Sequence, residues 1–196
     1  MVGNMPNFTK YDILRCFVRL KENTGRQELS KELGLGEGTV RTILEMLKSK
    51  KLLDSTKKGH FLSRKGFLEL NKIFKNIGIP KIIDIKRIYP EYKKIGILLK
   101  KSGKLKETYK LRDIAVKNGA EGALILKFEN KLHTPGSDYK GGFDNLEKYF
   151  SFKNGDIFVI AFADDARNAE TGALAIAVEL DAELKSFMKS FKEEKC

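Results

Sequence analysis

Cysteine is scarce in this chain of 196 residues, which holds only Cys16 and Cys196. The two cysteines lie almost the whole chain apart, whereas disulfide frameworks and zinc sites need several cysteines at short, regular spacings. The sequence therefore argues against a disulfide-stabilised fold and against a cysteine-based metal site. We expect Cys16 to pack as a small apolar side chain on or beside a helical core, and not to act as a reactive thiol.

Long apolar runs are also missing. No stretch reaches the ~18 or more apolar residues that a membrane span requires. The first residues, Met1 to Pro6, lack the basic region and apolar core of a signal peptide. The apolar fraction of 41% suits a folded protein, and the length suits one or two domains. We therefore expect a cytoplasmic protein that makes no contact with a membrane.

Signatures of catalysis are missing as well. The chain has no phosphate-binding loop ending in Gly-Lys-Ser/Thr, no Gly-x-Ser-x-Gly between a strand and a helix, and no paired cysteines or histidines. His60 and His133 stand alone, and each fits a surface or turn position better than the role of ligand or base. We therefore expect no enzymatic activity, no cofactor and no metal.

Positive charge is abundant, but it is distributed unevenly. Residues 1–80 hold 16 Lys and Arg against 8 Asp and Glu, and residues 81–107 hold 9 against 3. Residues 108–196 hold 13 against 15, so the end of the chain is slightly acidic. Lysine and arginine that neutralise phosphates release condensed counterions, which favours nucleic-acid binding. A uniformly lysine-rich surface, as in some thermophiles, is the alternative, and the acidic balance of the C-terminal half argues against it.

The most informative stretch runs from Arg26 to Leu70. Its first part places Leu29 and Leu33 on one face of a helix that closes at Gly34. A second helix buries four apolar residues whose spacing fits a period of about 3.6 residues and not a strand, namely Val40, Ile43, Leu44 and Leu47. Two short helices joined by a glycine-containing turn make a helix-turn-helix unit, whose second helix can enter a DNA major groove.

A basic hairpin is predicted directly after the second helix. Residues 51–56 and 60–63 have the pattern of two short strands. The tip between them is Lys57-Lys58-Gly59, where glycine can take the positive φ that a tight turn needs. A further helix then begins with Ser63 as its N-cap. A hairpin that follows a helix-turn-helix in this way is the wing of a winged-helix domain.

An earlier helix completes this predicted domain. The segment Thr9-Lys10-Tyr11-Asp12 resembles a helix-capping pattern. The helix that it opens carries an apolar face made of Ile13, Leu14, Phe17, Val18 and Leu20. We expect this helix to pack beneath the other two.

The segment resembles the winged-helix DNA-binding domains of bacterial and archaeal transcription regulators, including those of sugar-responsive repressors. The resemblance covers residues 11–77 and rests on "LSKELGLGEGTVRTILEMLKSKKLL", the Lys57-Lys58-Gly59 tip and "LSRKG". It departs at Gly36, where relatives usually carry a serine that caps the recognition helix, and glycine is only slightly worse there. The resemblance implies a domain that binds double-stranded DNA.

The second helix of the motif would present the side chains that read the bases. Because its buried face is fixed, Gly38, Arg41, Thr42 and Glu45 point roughly away from the core. Arg41 could contact a guanine edge or a phosphate, and Thr42 a phosphate or a thymine methyl group. Glu45 could accept a hydrogen bond from a cytosine amino group.

Three further residues are candidates for contacts with the DNA backbone. Thr39 lies at the helix start, where backbone N–H groups and the helix dipole favour a phosphate. Lys57 and Lys58 would reach phosphates or the minor groove. For each candidate the alternative is an ordinary solvated side chain. A winged helix that docks onto another protein also remains open, because a fold does not fix a function.

The chain changes character after Gly78. Pro80 and Pro90 bracket a short extended segment, so residues 80–92 are interpreted as a linker. Residues 93–196 alternate strands with helices, which predicts a small α/β domain. The whole chain is thus predicted to be α+β overall, with a winged helix-turn-helix in residues 1–79 followed by this domain.

The predicted elements of the second domain are bounded by turn residues. They are strand Ile95–Leu99, helix Glu107–Asn118, strand Gly122–Phe128, a short strand near Leu132, a short helix Phe143–Phe150, strand Ile157–Ala163 and a final helix from Ala173 to Phe191. Apolar residues also alternate within 174–180, so a strand is the alternative for the start of that last segment. We favour a helix.

A polar cluster follows the last predicted strand. Asp164, Asp165 and Arg167 lie just beyond its carboxyl end, where open α/β sheets bind ligands. The Arg112-Asp113 pair and the loop Pro135–Gly142 could complete a small-molecule pocket. The alternative is that Asp165 or its neighbour caps the last helix.

Three functions are compatible with these patterns. The favoured one is a DNA-binding transcription regulator whose C-terminal domain dimerises or senses a small-molecule effector. A homodimer is expected because helix-turn-helix proteins commonly read paired half-sites. The alternatives are an enzyme that uses Asp164 and Asp165 and carries the winged helix as an accessory, and a non-catalytic adaptor for protein or RNA.

Overall fold

The computed structural model describes residues 8–20, 24–85, 87–100, 105, 107–136 and 143–191. These residues form an α+β fold with two antiparallel sheets, which confirms the predicted class. The chain divides into two compact units, one ending at Lys72 and the other beginning at Ile73. Among the residues described, no helix has both the length and the apolar character that crossing a membrane requires.

The first unit consists of helices and one hairpin. Its elements are α1 (Lys10–Phe17), α2 (Arg26–Leu33), α3 (Glu37–Ser49), β1 (Leu53–Thr56), β2 (Gly59–Leu62) and the beginning of α4 (Arg64–Asn76). The backbone N–H of Thr9 donates to the Asp12 carboxylate at 2.8 Å, which confirms the capping pattern of α1. Helix α2 ends at Gly34, whose φ of 65° lets the chain turn sharply into α3. The two helices fit a helix-turn-helix arrangement.

The apolar residues that the periodicity assigns to the inside are buried. They are Leu29 and Leu33 of α2 and Val40, Ile43, Leu44 and Leu47 of α3. Cys16 is also fully buried, and this burial raises the pKa of its thiol to about 12. The thiol therefore stays protonated near neutral pH, as expected of a cysteine that serves as a small apolar side chain.

A buried ion pair, which the sequence pattern does not reveal, lies within the same unit. Arg15 Nη1 is 2.8 Å from Asp12 Oδ1, and the two side chains are only 3% and 0% exposed. The other terminal nitrogen, Nη2, donates to the backbone carbonyl of Leu33 at 3.0 Å. One guanidinium group thus connects the first turn of α1 to the last residue of α2, next to the turn at Gly34.

The predicted hairpin is confirmed. Strands β1 and β2 pair antiparallel from Leu53↔Leu62 to Thr56↔Gly59, so Lys57 and Lys58 form a two-residue tip. Thr24, just before α2, bridges the other edge of β2. Its N–H donates to the His60 carbonyl at 2.9 Å, and the His60 N–H donates to the Thr24 carbonyl at 3.0 Å.

Helix α4 begins in close contact with the residue that precedes β1. The Gly66 N–H donates to Ser63 Oγ at 3.0 Å, which confirms Ser63 as the N-cap. A β-carbon at Gly66 would lie 1.8 Å from the Leu52 carbonyl oxygen. The glycine of the "LSRKG" segment is therefore required by the approach of two backbones.

The second unit contains one sheet of five strands in the order β3-β4-β7-β5-β6. The strands are β3 (Lys81–Ile82), β4 (Lys93–Leu99), β5 (Gly122–Glu129), β6 (Lys131–His133) and β7 (Ile157–Ala163). All the pairings are antiparallel, and this corrects the α/β arrangement expected for this domain. Strand β7 inserts between β4 and β5, the two strands that helix α5 (Thr108–Lys117) connects. Alternation of strands and helices along a chain does not reveal such an insertion.

The residues interpreted as a linker lie within the second unit. Lys81 and Ile82 pair with Ile95 and Gly96 as edge strand β3. Ile83 and Ile85 are buried in a core cluster with Phe158 and Ile160 of β7. The segment 80–92 is therefore built into the sheet and its core, because its isoleucines have apolar partners.

The final predicted helix consists of two helices, α6 (Ala166–Leu180) and α7 (Ala182–Lys189). The break occurs at Asp181, whose backbone is extended and whose carboxylate accepts from the Leu184 N–H at 2.8 Å. Helix is nevertheless correct for residues 174–180, where nearly every side chain is buried and the apolar run therefore shows no clear period. The short helix expected at Phe143–Phe150 is a 3₁₀ helix over Asp144–Tyr149.

Replacing Gly66 with alanine tests the close approach of α4 to Leu52. We expect Gly66→Ala to lower the free energy of unfolding by about 3 kcal/mol, since the backbone must move to admit the methyl group. The matched control is Gly38→Ala in α3, where a β-carbon would have no neighbour within 4 Å. This change should stabilise by up to ~1 kcal/mol. Urea unfolding followed by circular dichroism measures both, and equal effects would contradict the packing.

Replacing Arg15 with methionine tests the buried ion pair. It removes the guanidinium that lies 2.8 Å from the buried Asp12 carboxylate, and we expect a loss of about 3–5 kcal/mol in unfolding free energy. Asp12→Asn combined with Arg15→Met removes both charges and keeps an acceptor for the Thr9 N–H. The double variant should therefore be more stable than Arg15→Met alone. A double variant as unstable as the single one would show that the charge itself is unimportant.

Candidate nucleic-acid interface

The exposed face of α3 carries the residues that the helical period assigns to it. Gly38, Arg41, Thr42 and Glu45 are exposed, and Thr39 near the helix start is half-buried. The opposite face of the helix packs into the core of the first unit, so these side chains have a fixed direction. The hydroxyl of Thr42 donates to the Gly38 carbonyl at 3.2 Å, one turn back along the helix.

Arg41 and Glu45 form an ion pair on this face. Arg41 Nε lies 3.0 Å from Glu45 Oε1, and the two side chains are 67% and 64% exposed. An exposed pair at this spacing contributes only about 0.3–0.5 kcal/mol. A phosphate or a guanine edge can therefore displace the Glu45 carboxylate from Arg41 at little cost.

The beginning of α3 has its own charge pair. Gly36 is the N-cap and supplies no side-chain acceptor to the first N–H groups. Glu37 in the first turn complements the helix dipole, and its carboxylate lies 3.4 Å from Arg26 Nε of α2. Thr39, assigned to a phosphate contact by the sequence, lies within this first turn.

The hairpin runs alongside α3. Its tip residues Lys57 and Lys58 are exposed, and the Lys58 N–H donates to Thr56 Oγ1 at 3.2 Å. Between the helix and the hairpin lies a pocket of about 330 Å³. Its lining residues come from α2, α3, β1 and β2, and they are Arg26, Arg41, Leu44, Glu45, Lys48, Leu53, Ser55 and His60.

His60 forms part of the wall of this α3–hairpin pocket. Its Nδ1 lies 2.8 Å from Ser55 Oγ. Burial lowers the pKa of the imidazole below its usual value, and the nearby charges of Lys48 and Arg26 lower it further. Both effects favour the neutral form of the ring, and the two cations place positive charge beside it. The sequence predicts a surface or turn position for His60, and no local pattern marks Arg26, Lys48 and Ser55, because their convergence depends on tertiary packing.

Among the candidate ligand residues of the second unit, Asp165 makes hydrogen bonds that assign it a role in α6. Asp165 caps α6, accepting from the Asn168 N–H at 2.7 Å and from Asn168 Nδ2 at 2.8 Å. This is the capping alternative that the sequence left open. Asp164 is exposed beside it, and Arg167 is half-buried. Because neighbouring described strands of this sheet run antiparallel, the carboxyl end of β7 lies beside the amino ends of β4 and β5.

Arg112 and Asp113 are exposed on α5. The end of α5 approaches α6, since a β-carbon at Gly119 would lie 2.9 Å from Asn168 Oδ1. Asp113 lies four residues, or about 6 Å along the helix axis, before the end of α5 at Lys117. Of the predicted loop Pro135–Gly142, residues 137–142 lie outside the described residues. Among the residues that are described, no group of three or more His, Cys, Asp or Glu is placed to hold a metal ion.

Comparisons with known proteins match both units. The family model described as "PH0730-like, N-terminal domain" matches residues 9–68, and "Domain of unknown function (DUF4443)" matches residues 90–180. A solved structure, "Hypothetical protein PH0730 from Pyrococcus horikoshii OT3", is 29% identical with a TM-score of 0.75, covering 91% of this chain and 98% of that one. No curated protein matches the sequence. The chain is thus similar to an archaeal protein over both units, and none of these descriptions names an activity.

Removing the Asp165 carboxylate tests its role as a helix cap. Asp165→Ala should cost about 1 kcal/mol of unfolding free energy because the Asn168 N–H loses its acceptor. The neighbouring Asp164→Ala serves as the control and should change stability by less than ~0.5 kcal/mol. Thermal or urea unfolding measures the difference, and an equal loss for both variants would contradict the assignment.

Proposed function

We propose that the first unit is a winged helix-turn-helix that binds double-stranded DNA, and that the chain is a transcription regulator. The observation that carries this proposal is the arrangement of α3 and the hairpin on one side of the unit. Helix α3 turns Arg41 and Thr42 outward, and the adjacent hairpin carries Lys57 and Lys58 at its tip. The Thr24 bridge to β2 supports a wing built as a small sheet.

The dimensions of α3 suit a duplex. Its 13 residues span about 20 Å, and a B-DNA major groove about 12 Å wide admits such a helix. Gly38 lacks a side chain and is exposed, so the helix backbone can come close to a groove wall. In this proposal Arg41, Thr42 and Glu45 face base edges, while Thr39, Lys57 and Lys58 contact phosphates.

The charge distribution supports a phosphate-binding surface in the N-terminal half. The first 80 residues hold 16 basic and 8 acidic side chains, whereas residues 108–196 hold 13 and 15. We propose that the C-terminal unit dimerises the protein or senses an effector, and that a dimer reads two half-sites. The chain then works in the cytoplasm without catalytic activity of its own.

A salt titration of binding to duplex DNA tests the proposal. Fluorescence anisotropy with a mixed-sequence duplex should show affinity falling steeply and log-linearly with salt. Changing Arg41, Lys57 and Lys58 together to alanine should weaken binding and lower the salt slope by about 0.9 for each phosphate contact removed. The matched control changes the exposed Lys117, Lys153 and Lys189 of the second unit to alanine.

The control has the same change in net charge, so it separates a local contact from a general loss of positive charge. It should bind almost as tightly as the unmodified protein. Equal weakening by the two triple variants would contradict the assigned surface. No salt-dependent binding to any duplex would contradict DNA binding as a whole.

A further inference from the structure

The α3–hairpin pocket concentrates positive charge. Three of its lining residues are cations, namely Arg26 from α2 and Arg41 and Lys48 from α3, and Glu45 is its one carboxylate. Arg26 is paired with Glu37 and Arg41 with Glu45. Among the described residues, the Lys48 ammonium has no ion-pair partner. The pocket therefore carries a positive charge that its own residues do not balance.

The polar groups of the pocket suit an oxyanion. Arginine and lysine offer N–H donors to phosphate oxygens, and the Ser55 hydroxyl and the His60 ring add neutral polar atoms. Leu44 and Leu53 form an apolar floor that raises the strength of charge interactions above it. A volume of about 330 Å³ is at the lower end for ligand pockets. It accommodates a phosphate group with part of what the phosphate is attached to.

Glu45 competes with any anion that enters. It already accepts from Arg41 at 3.0 Å, and its negative charge repels a phosphate at the same place. Because the pair is highly exposed, Arg41 can exchange the carboxylate for a phosphate oxygen. Glu45 thus weakens the binding of any anion, and an anion that engages Arg26, Lys48 and Arg41 together best offsets its repulsion.

We propose that the α3–hairpin pocket binds one phosphate group, with Lys48 and Arg26 as its principal ligands and Glu45 as a competing carboxylate. A free phosphate and a phosphate of a duplex backbone share this chemistry. The first source is independent of the function proposed above, whereas the second rests on it.

Histidine titration by NMR tests the first source. The chain has two histidines, so His60 in the pocket wall and His133 in β6 give separate ring signals. Sulfate is the probe, because it is tetrahedral and keeps its charge while histidine titrates. The charges facing His60 are those of Lys48, Arg41 and Glu45 on α3 and Arg26 on α2. A bound dianion should raise the apparent pKa of His60 by about one pH unit. The ring signals of His133 should not respond to sulfate.

Two lysine variants test whether the sulfate-induced shift at His60 depends on a lysine of the pocket. Lys48→Met should remove most of the sulfate-induced shift at His60. Lys31→Met, which removes an exposed lysine of α2 that does not line the pocket, should preserve it. Glu45→Gln should lower the sulfate concentration needed for half the shift by two- to threefold. Inorganic phosphate at fixed pH should perturb the same signals.

The result that overturns the site is a His60 shift no larger than that of His133. This comparison is made within the unmodified protein and does not depend on how a variant folds. A shift that survives Lys48→Met undiminished would also overturn it.

A parallel experiment with duplex DNA identifies the source of the phosphate. If the backbone supplies it, Lys48→Met weakens duplex binding and Lys31→Met does not, and sulfate competes with the duplex. If only free phosphate is bound, the sulfate shift at His60 remains while the duplex leaves His60 unperturbed. Absence of the sulfate shift together with salt-dependent duplex binding would refute the pocket and leave the proposed function intact.

Discussion

The buried Arg15 guanidinium fixes the geometry on which the first unit depends. It is held by the Asp12 carboxylate on α1 and by the Leu33 carbonyl at the end of α2. Separating these groups would break a short ion pair inside the core, which costs several kcal/mol. Packing arrangements that move α1 away from the end of α2 are therefore strongly disfavoured. The adjacent turn at Gly34 then determines where α3 begins.

The packing of α3 determines which of its side chains reach the surface of the first unit. Its apolar face is buried, so Arg41, Thr42 and Glu45 are directed outward on a rigid helix. The Thr24 bridge to His60 and the contact of Gly66 with Leu52 hold the hairpin from both ends. The pocket between α3 and the hairpin is a consequence of this packing. The same packing partly buries His60 and brings Lys48 and Arg26 near it, and burial followed by these charges lowers the pKa of its ring.

Local patterns predicted much of the first unit because they depend on neighbours along the chain. The spacing of Val40, Ile43 and Leu47 contains the period of a helix, and Ser63 precedes the helix that it caps. The pocket could not be predicted in this way, since Arg26 and His60 are brought to one wall by tertiary packing. The buried position of Arg15 could not be predicted either, because a charged residue is usually expected on the surface.

In the second unit, too, local sequence patterns predict some features and long-range packing determines the others. Its strands are apolar enough to be recognised, but insertion of β7 between β4 and β5 is a long-range pairing that no local pattern encodes. The break at Asp181 was hidden because apolar residues continue on both sides of it. Asp165 illustrates the converse, since a carboxylate just before a helix is as well suited to capping as to binding a ligand, and here it caps.

Lysine footprinting tests most directly whether α3 and the hairpin form a duplex-binding surface. The protein is labelled briefly with an amine-reactive reagent, with and without saturating duplex DNA, and each lysine is quantified by mass spectrometry. The account predicts that duplex protects Lys57 and Lys58, while Lys117, Lys153 and Lys189 react equally in both samples. Unchanged labelling of Lys57 and Lys58 at saturation, or protection confined to the second group, would contradict it.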